Sequence, residues 1–508
     1  MAFSVTFVDF VLAAIGLYCV ARLVSSKKSS LPLPPGPKGL PLLGNLLDMP
    51  SEKEWHTFAK WGQQYGKICS VTVLGQTLVI LNSASTAVEM LDKHGSVYSD
   101  RPIIPMGGEL VGWKNTLVLV PYGERFRNYR RLAHQLFGNA ALMKGFHPIE
   151  ELETHRFLKR LLTRPDEFAD HVRRTAGAII LRISHGYEVQ EGEDPFVSLA
   201  DQATEQFSVS TAPGFLVNLV PALAKLPEWF PGAGFHKLAK QWGKTLNDMV
   251  DQPYSLVKSQ VAAGTAPVSY VSSKLYDKKL TPEEEFEVKW SAASLYSGGA
   301  DTTVSSIHSF FKAMALFPEV QARARAELDA VVGTERLPTF EDREKLPYLN
   351  AVALEALRWH TVTPTAVPHR ASEDSVFEGY FIPKGTLVIP CIWNMAHDPN
   401  VYKDPFTFNP DRFLATPDHV PEKDPRDLVF GFGRRICPGR VLADASVFIS
   451  CASLLACFDI SPHVKDGVPT PIDREQTTGT ISHPNAFKCK IVPRSEKAVS
   501  LIQADEQL

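Results

Sequence analysis

The stretch "FGFGRRICPGR", residues 430 to 440, decides what kind of protein this is. Three glycines and a proline surround Cys437, and Arg434, Arg435 and Arg440 lie close by. Glycines let a backbone run flat against something bulky. Neighbouring cations, and the helix that the following residues predict, favour the thiolate form of a cysteine. The pattern therefore predicts that Cys437 is used for chemistry.

Two kinds of chemistry fit Cys437, since a cysteine thiolate serves as a nucleophile or as a metal ligand. A nucleophile needs a histidine base, whose position the sequence alone does not supply. A lone thiolate among arginines suits a haem iron better, because arginines can bind the haem propionates. The competing interpretation is a buried structural cysteine.

A second unusual stretch is "SLYSGGADTTVSSIHSFF", residues 294 to 311. A capping box at Thr281–Glu284 predicts where its helix begins, and Pro318 predicts where it ends. The helix should then have roughly 35 residues and a length of about 50 Å. Gly298 and Gly299 lie near its middle, and each glycine destabilises a helix by about 1 kcal/mol relative to alanine. They allow either a kink with close approach of a flat ligand or tight helix packing.

The rest of the chain predicts a mainly α protein with small β-sheets. The pattern is mostly helical from about 120 to 360, with a hairpin around Gly75 and short strands between about 365 and 410. Helices do not alternate with strands, which argues against a doubly wound sheet. A net charge of −3 over 508 residues excludes a strongly basic, nucleic-acid-binding chain. Seven scattered cysteines without a CxxC pair favour a reducing compartment.

The N-terminus predicts a membrane anchor over residues 1–25. Its apolar run approaches the roughly 20 residues that span a bilayer, and Lys27 and Lys28 follow it. The positive-inside rule then places the rest of the chain in the cytosol. A cleaved signal peptide is the alternative. A basic, proline-rich hinge over 26–45 separates the anchor from a body over 46–508.

Taken together, these motifs resemble the cytochrome P450 family of haem-thiolate monooxygenases over essentially the whole chain. Residues 430–439 resemble its haem-binding loop, and Gly298–Thr303 its oxygen-activation motif. "EALR" at 355–358 resembles its ExxR helix, "NPDRF" at 409–413 its later arginine motif, and "YGERFR" at 122–127 with Arg130 its propionate-contacting helix. The resemblance implies one large haem domain of the P450 fold behind an N-terminal transmembrane helix.

The resemblance also implies a role for each matching residue. Cys437 should be the axial ligand of the haem iron. Thr302 should help hold the iron-bound oxygen species and its water, and Asp301 should feed protons to it. Thr302 could instead only bond the carbonyl four residues earlier in its helix. Glu355, Arg358 and Arg412 should form a buried structural clamp. The residues expected to bind haem are Arg130, His369, Phe430, Arg435, Cys437 and Gly439.

One position departs from the family pattern, because Phe126 stands where tryptophan is usual. Phenylalanine keeps a stacking surface but lacks the indole N–H donor, which puts one propionate bond in doubt. The expected substrate pocket is apolar or small in character, with core packing as the competing explanation for every member. Its members are Met106, Leu110, Trp113, Ser294, Ser297, Gly298, Thr363, Ala366, Val367 and Thr480.

The leading hypothesis is a haem b monooxygenase of the endoplasmic reticulum membrane. It would insert one oxygen atom from O₂ into an apolar small molecule. Electrons would come from NADPH through a separate reductase, with cytochrome b5 as a second donor. The sequence style resembles fungal members from specialised metabolism, which suggests a terpenoid or aromatic natural product. The alternatives are a haem-thiolate isomerase or dehydratase without a reductase, and a haem- or lipid-binding membrane protein without turnover.

Overall fold

Helices dominate the computed structural model, which describes residues 30–212, 214–277 and 279–504. The predicted anchor lies outside these residues. The helices of eight or more residues are α1 Glu54–Tyr65, α2 Glu124–Phe137, α3 His147–Thr163, α4 Phe168–His185, α5 Pro195–Thr211, α6 Phe235–Ala262, α7 Tyr270–Asp277, α8 Pro282–Leu316, α9 Pro318–Val331, α10 Pro347–Trp359, α11 Arg440–Cys457 and α12 Glu496–Gln503.

Shorter helical segments connect these elements. They are Leu46–Asp48, Ala84–Ala87, Val88–Lys93, Gly95–Tyr98, Pro105–Val111, Trp113–Asn115, Ala140–Met143, Pro165–Glu167, Leu216–Leu219, Pro221–Lys225, Phe340–Lys345, Ile392–Ala396, Pro410–Phe413, Arg426–Val429 and Gly433–Arg435.

The strands are short and form small sheets, as the sequence predicts. They are β1 Ile68–Val73, β2 Gln76–Leu81, β3 His369–Arg370, β4 Ser375–Phe377, β5 Tyr380–Ile382, β6 Leu387–Pro390, β7 Phe458–Pro462, β8 Val464–Lys465, β9 Val468–Pro469 and β10 Cys489–Pro493. The largest described sheet has the order β1–β2–β6–β3, with β2 and β6 parallel and the other pairs antiparallel. The pairs β4–β5, β7–β10 and β8–β9 complete the described sheets.

The chain divides into two compact units. Unit 1 holds the N-terminal part to Pro102 together with Pro368–Cys391, and unit 2 holds Ile103–Val367 and the residues from Ile392 onward. In unit 1 the predicted hairpin is present. Leu74 and Gly75 join its strands with φ angles of 48° and 81°, as a two-residue turn of type I′ requires.

The described part of the proline-rich segment is fastened to unit 1. The carbonyls of Pro34 and Pro35 accept hydrogen bonds from the Ser70 hydroxyl at 2.6 Å and the Ser70 amide at 2.8 Å. A Cβ on Gly36 would lie 1.8 Å from the backbone carbonyl oxygen of Ser70, so only glycine permits this approach. The prolines thus run as an extended segment along the sheet.

Unit 2 is built around α8, the central helix. It has 35 residues and starts with the predicted capping box, in which the Glu284 amide donates to the Thr281 hydroxyl and the Glu284 carboxylate accepts from the Thr281 amide. Buried side chains lie on all its faces between Val288 and Ala315, as expected of a helix inside a large domain. It packs against α4, α2 and α11. The helix is therefore largely buried within unit 2, while Gly298 near its middle is exposed.

Among the described residues, one helix is long and apolar enough to cross a membrane. It is α11, Arg440–Cys457, of which 72% is buried within the protein. This helix begins three residues after Cys437 and packs against α8, α3 and α10. Its apolar composition is therefore explained by its place in the core of unit 2.

Candidate active site

Cys437 lies in a tight loop that precedes α11. Gly431 and Gly433 adopt positive φ angles of 77° and 58° there, and the Cys437 amide donates to the Phe430 carbonyl at 2.8 Å. Positive φ is a conformation that glycine adopts without strain. Cys437 is half-buried, whereas the other described cysteines are buried. Cys437 is thus the one described cysteine that is not fully buried.

Burial raises the pKa of the Cys437 thiol above its ordinary value. The Gly439 amide and the charges of Arg130 and Arg440 act in the opposite direction without reversing it. Neighbouring cations therefore favour the thiolate, as expected, but desolvation of the loop outweighs them in the protein without a bound metal. A metal cation bound to the sulfur would supply the missing stabilisation, since a coordinating thiol is deprotonated.

Arg130, on α2, ties that helix to the cysteine loop. Its guanidinium donates to the Ile436 carbonyl at 2.5 Å, one residue before Cys437. Burial lowers the pKa of Arg130, and Cys437 opposes that shift. The amphipathic pattern of "ERFRNYRRLAHQLF" places Phe126, Tyr129 and Ala133 in the core. Arg130 is thereby left half-buried beside the loop.

Arg435 and Phe126 form a second contact between the same elements. The Arg435 guanidinium carbon lies 3.9 Å from the centre of the Phe126 ring, and one of its nitrogens donates to the Val120 carbonyl at 2.8 Å. Phe126 is buried. Phe126 thus keeps the stacking surface that was expected of a phenylalanine in place of tryptophan.

His369 lies in unit 1, apart in the chain from the other predicted haem-binding residues. Its Nδ1 is 2.7 Å from the Tyr98 carbonyl, also in unit 1. Its contribution to haem binding stays a prediction.

The central helix runs unbroken through its two glycines. The Thr302 hydroxyl donates to the Gly298 carbonyl at 2.8 Å, which is the bond to the preceding turn that the sequence left open. A hydroxyl oxygen in such a bond keeps its acceptor sites. The helix is therefore weakened in composition at this point without a break in its hydrogen bonding.

The two glycines face different surroundings. A Cβ on Gly298 would meet no atom within 4 Å, whereas one on Gly299 would lie 3.1 Å from Cγ1 of Ile180 on α4. Gly298 opens onto free space and Gly299 permits close packing of α8 on α4. Tight helix packing therefore explains Gly299, while the approach of a flat ligand at Gly298 stays a prediction.

Asp301 points to a partner that the sequence did not reveal. Its two carboxylate oxygens lie 3.2 and 3.3 Å from Nε2 of His483. Burial acts to raise the pKa of Asp301, but the bond and charge of His483, with a smaller effect of Arg173, hold it below its ordinary value. His483 lies three residues after the predicted pocket residue Thr480, and it is 182 positions from Asp301 in the sequence. Only the folded chain brings them together.

The structure also brings together Glu355, Arg358 and Arg412. Arg358 makes two bonds to the Glu355 carboxylate at 2.7 and 2.8 Å, and Arg412 adds one at 3.1 Å. All three are buried. Burial opposes the charge of Arg412, but Glu355 and Glu422 raise its pKa above the ordinary value. Glu422, 2.6 Å from Arg412, is a further member that the motifs did not indicate.

The predicted pocket residues of unit 2 differ in exposure. Met106 and Trp113 are buried, and the Trp113 ring lies 4.8 Å from that of Phe207. Ser294 accepts from the Leu117 amide at 2.9 Å and donates to the Trp290 carbonyl at 2.7 Å. The half-buried members are Leu110, Ser294, Ser297, Thr363, Ala366, Val367 and Thr480, and Gly298 is exposed.

Ala366 adopts a φ of 51°. A non-glycine residue in the left-handed region is uncommon and is often held there at a functional site. The neighbouring Pro364 carbonyl accepts from the Trp393 amide at 2.9 Å, which fixes this turn. The conformation accords with a segment shaped for contact with a ligand.

The donor set around Cys437 fits a haem. No group of three or more histidine, cysteine or acidic residues within the described chain could hold a metal. A metal at Cys437 would therefore bring most of its ligands with it, as the iron of a porphyrin does. Positively charged Arg130 and Arg435 stand beside the loop, and Gly298 leaves open space on the central helix.

Comparison with known proteins identifies the family. The family model for cytochrome P450 matches residues 34–491. The chain belongs to the cytochrome P450 family. It is 52% identical to cytochrome P450 monooxygenase 208 of Postia placenta, over 93% of this chain and 92% of that one. It is 45% identical to cytochrome P450 monooxygenase claR of Ampulloclitocybe clavipes, over 98% of this chain and 93% of that one.

Another relative of this P450 is the O-methylsterigmatocystin oxidoreductase of Aspergillus flavus. The two are 40% identical over 97% of this chain and 94% of the relative. The family and the relatives establish the P450 as an oxidoreductase of the monooxygenase type. Membership implies a haem cofactor.

Proposed function

We propose that this P450 inserts one oxygen atom from O₂ into an apolar small molecule, with Cys437 as the axial ligand of haem b. The carrying observation is the Cys437 loop, in which the Phe430 carbonyl accepts a hydrogen bond from the Cys437 amide and Arg130 flanks the half-buried cysteine. Arg130, Arg435 and His369 would bind the propionates, and Phe430 and Gly439 would line the macrocycle. When bound, haem supplies dioxygen activation, which a thiolate ligand promotes.

The chain's own residues would organise the reaction around that group. Gly298 leaves room beside the central helix, and the Thr302 hydroxyl offers acceptor sites for a water molecule there. Asp301, one residue earlier, would deliver protons through such a water to dioxygen. The buried clamp of Glu355, Arg358 and Arg412 would keep the chain around the site in shape.

The pocket residues support an apolar substrate. Most carry no free polar group, and the Ser294 hydroxyl is already used within the protein. The Trp113 indole N–H is buried and has no hydrogen-bond partner within the described chain, so a substrate with one oxygen acceptor would suit it. A substrate screen would begin with O-methylsterigmatocystin, after which one relative is named, and with terpenoids.

Electron supply and location form part of the same proposal. NADPH would reduce the haem through a separate reductase, with cytochrome b5 as a second donor. The apolar N-terminal residues would anchor the P450 in the endoplasmic reticulum membrane with its body in the cytosol.

A carbon monoxide difference spectrum on dithionite-reduced membranes tests the haem assignment. Wild type should give the strongly red-shifted Soret band of a thiolate-bound haem, and Cys437→Ser should lose it. Cys451→Ser, at a buried cysteine of α11, is the matched control and should keep the band. Haem incorporation without that band in wild type would refute the axial role of Cys437.

NADPH consumption with an added reductase separates the function classes. A monooxygenase should consume NADPH and O₂ and form an oxygenated product. Turnover of a peroxide without NADPH would favour the isomerase or dehydratase, and neither activity would favour a binding protein.

A further inference from the structure

The C-terminal loop, residues 473–487, is fastened to the central helix at several points. Lys312 on α8 donates to the Glu475 carbonyl at 2.8 Å, and the Ser305 hydroxyl on α8 donates to the Ser482 carbonyl at 2.6 Å. The His483 amide donates to the Thr477 hydroxyl at 2.9 Å. These bonds fix His483 directly beside Asp301, at 3.2 to 3.3 Å.

The Asp301–His483 pair spans from the interior towards solvent. The exposed fraction is 13% for the Asp301 side chain and 22% for that of His483. A histidine can carry and release a proton in the neutral pH range. The pair thus has the geometry and the accessibility of a proton entry point.

Other charged groups face Asp301 from neighbouring helices. The charge of Arg173, on α4, acts to lower the pKa of Asp301. The pKa of Asp201, on α5, is raised mainly by burial, with a smaller contribution from the charge of Asp301. Arg173 and Asp201 pair at 3.4 Å. Arg173 and Asp201 offer a second path for protons from solvent to Asp301, and the experiment must distinguish it from the path through His483.

His308 lies in the same region, and no hydrogen bond within the described chain joins it to Asp301. Burial, assisted by the charges of His483, Arg173 and Lys312, lowers the pKa of His308 to about 4. Its ring packs against Phe168 and Phe487, at 5.1 and 5.4 Å. His308 is therefore a suitable control for a histidine in the same surroundings.

We propose that His483 positions the Asp301 carboxylate and passes protons from solvent to it. This inference rests on the proposed function of Asp301. In each transfer the imidazolium gives its Nε2 proton to a carboxylate oxygen and becomes a neutral imidazole. Asp301 then passes a proton to the water beside dioxygen and returns to the carboxylate. The imidazole regains its proton from solvent, so charge and protons balance.

The test follows the decay of the oxygenated, dithionite-reduced protein by stopped-flow absorbance in H₂O and D₂O between pH 6 and 8. It needs neither a substrate nor a reductase. The variants are His483→Gln, His483→Ala, Asp201→Asn and the control His308→Gln. If His483 carries the proton, decay at pH 7 should slow roughly tenfold in both His483 variants, because positioned proton transfer contributes at least that much. Its pH dependence should flatten, and His308→Gln should behave as wild type.

Glutamine separates proton transfer from a merely structural role. It keeps an N–H donor for Asp301 but cannot carry a proton. If His483→Gln decays at the wild-type rate while His483→Ala decays slowly, the proposal is overturned, and His483 only holds Asp301 in place. Slow decay in Asp201→Asn with normal decay in His483→Gln would overturn it in favour of the Arg173–Asp201 path.

Two further measurements test whether the haem site is intact and whether Asp301 and His483 are in contact. The red-shifted carbon monoxide band must be present in every variant, and its absence in wild type would refute the proposed function itself. Thermal unfolding of His483→Gln, Asp301→Asn and the double variant should show non-additive changes, since the two side chains are in contact. Additive changes would mean that the pair does not form in solution.

Discussion

Two carboxylates of unit 2 are held in contrasting ways. Glu355 is fully buried and accepts from Arg358, from Arg412 and from the Asn409 amide at 2.8 Å. Asp301 has one close side-chain partner, His483, and remains partly open to solvent. A carboxylate surrounded by donors holds its neighbours in place, whereas one with a single titratable partner and access to solvent can exchange a proton. The difference separates a group that maintains shape from one suited to chemistry.

The largest effect should come from Glu355→Ala. It leaves two buried guanidinium groups without their carboxylate, which should lower the free energy of unfolding by about 3–5 kcal/mol. Asp411→Asn is the control. Its pair with Arg323, at 2.6 Å, is half-exposed on both sides, so its loss should cost under ~1 kcal/mol. Chemical unfolding followed by circular dichroism measures both, and equal losses would contradict the contrast.

A third carboxylate, Glu150 on α3, extends the comparison. It is fully buried, it accepts from the Ser446 hydroxyl at 2.7 Å, and its other oxygen has no hydrogen-bond partner within the described chain. Burial raises its pKa from 4.5 to about 8. Between these two pH values the unfolded chain has lost the proton and the folded one keeps it. Stability from this group should therefore be present below pH 4.5 and be lost as the pH rises towards 8.

Glu150→Gln should remove that dependence. Unfolding at pH 5, 6, 7 and 8 should show wild type losing about 1.4 kcal/mol per pH unit relative to the variant. Parallel curves for the two proteins would show that Glu150 ionises in the folded state.

The glycines of the central helix should respond unequally to substitution by alanine. Gly298→Ala faces open space and should raise the free energy of unfolding by about 1 kcal/mol through helix propensity. Gly299→Ala gains the same propensity but presses on Ile180 at 3.1 Å, so it should be less stable than Gly298→Ala. Thermal unfolding of both variants measures the difference, and equal stabilisation would contradict the close packing.

The smallest effect on stability should come from Asp301→Asn. Its ion pair is partly exposed, so the free energy of unfolding at pH 7 should change by under ~1 kcal/mol. The pKa of Asp301 is depressed, so its contribution is present above about pH 4 and is lost as the pH falls through the folded value. The difference from wild type should therefore vanish in acid. A loss comparable with that of Glu355→Ala would refute the contrast between the two carboxylates.

Features that depend on near neighbours in the chain could be predicted from the sequence. The capping box at Thr281, the length of the central helix, the hairpin at Gly75 and the contact of Glu355 with Arg358 each follow from spacing of a few residues. The mainly helical class follows from the same local patterns.

Features that depend on distant parts of the chain could not be predicted. His483 lies 182 residues from Asp301, and its neighbours in the sequence give no sign of an acidic partner. The direction of the Cys437 pKa depends on how much of the loop is buried, which a count of nearby arginines does not measure. The division of roles between Gly298 and Gly299 depends on where Ile180 lies.

The ties of the C-terminal loop have a consequence for anyone who redesigns this enzyme. The predicted pocket residue Thr480 and its neighbours in the segment 478–481 lie between Thr477 and Ser482, whose bonds also set the position of His483. If His483 supplies protons as proposed, a library that varies these four residues to accept a new compound would also vary how tightly oxygen consumption is matched to product. Selection for substrate alone should yield variants that waste reducing equivalents, and a screen that also records released peroxide should recover better catalysts.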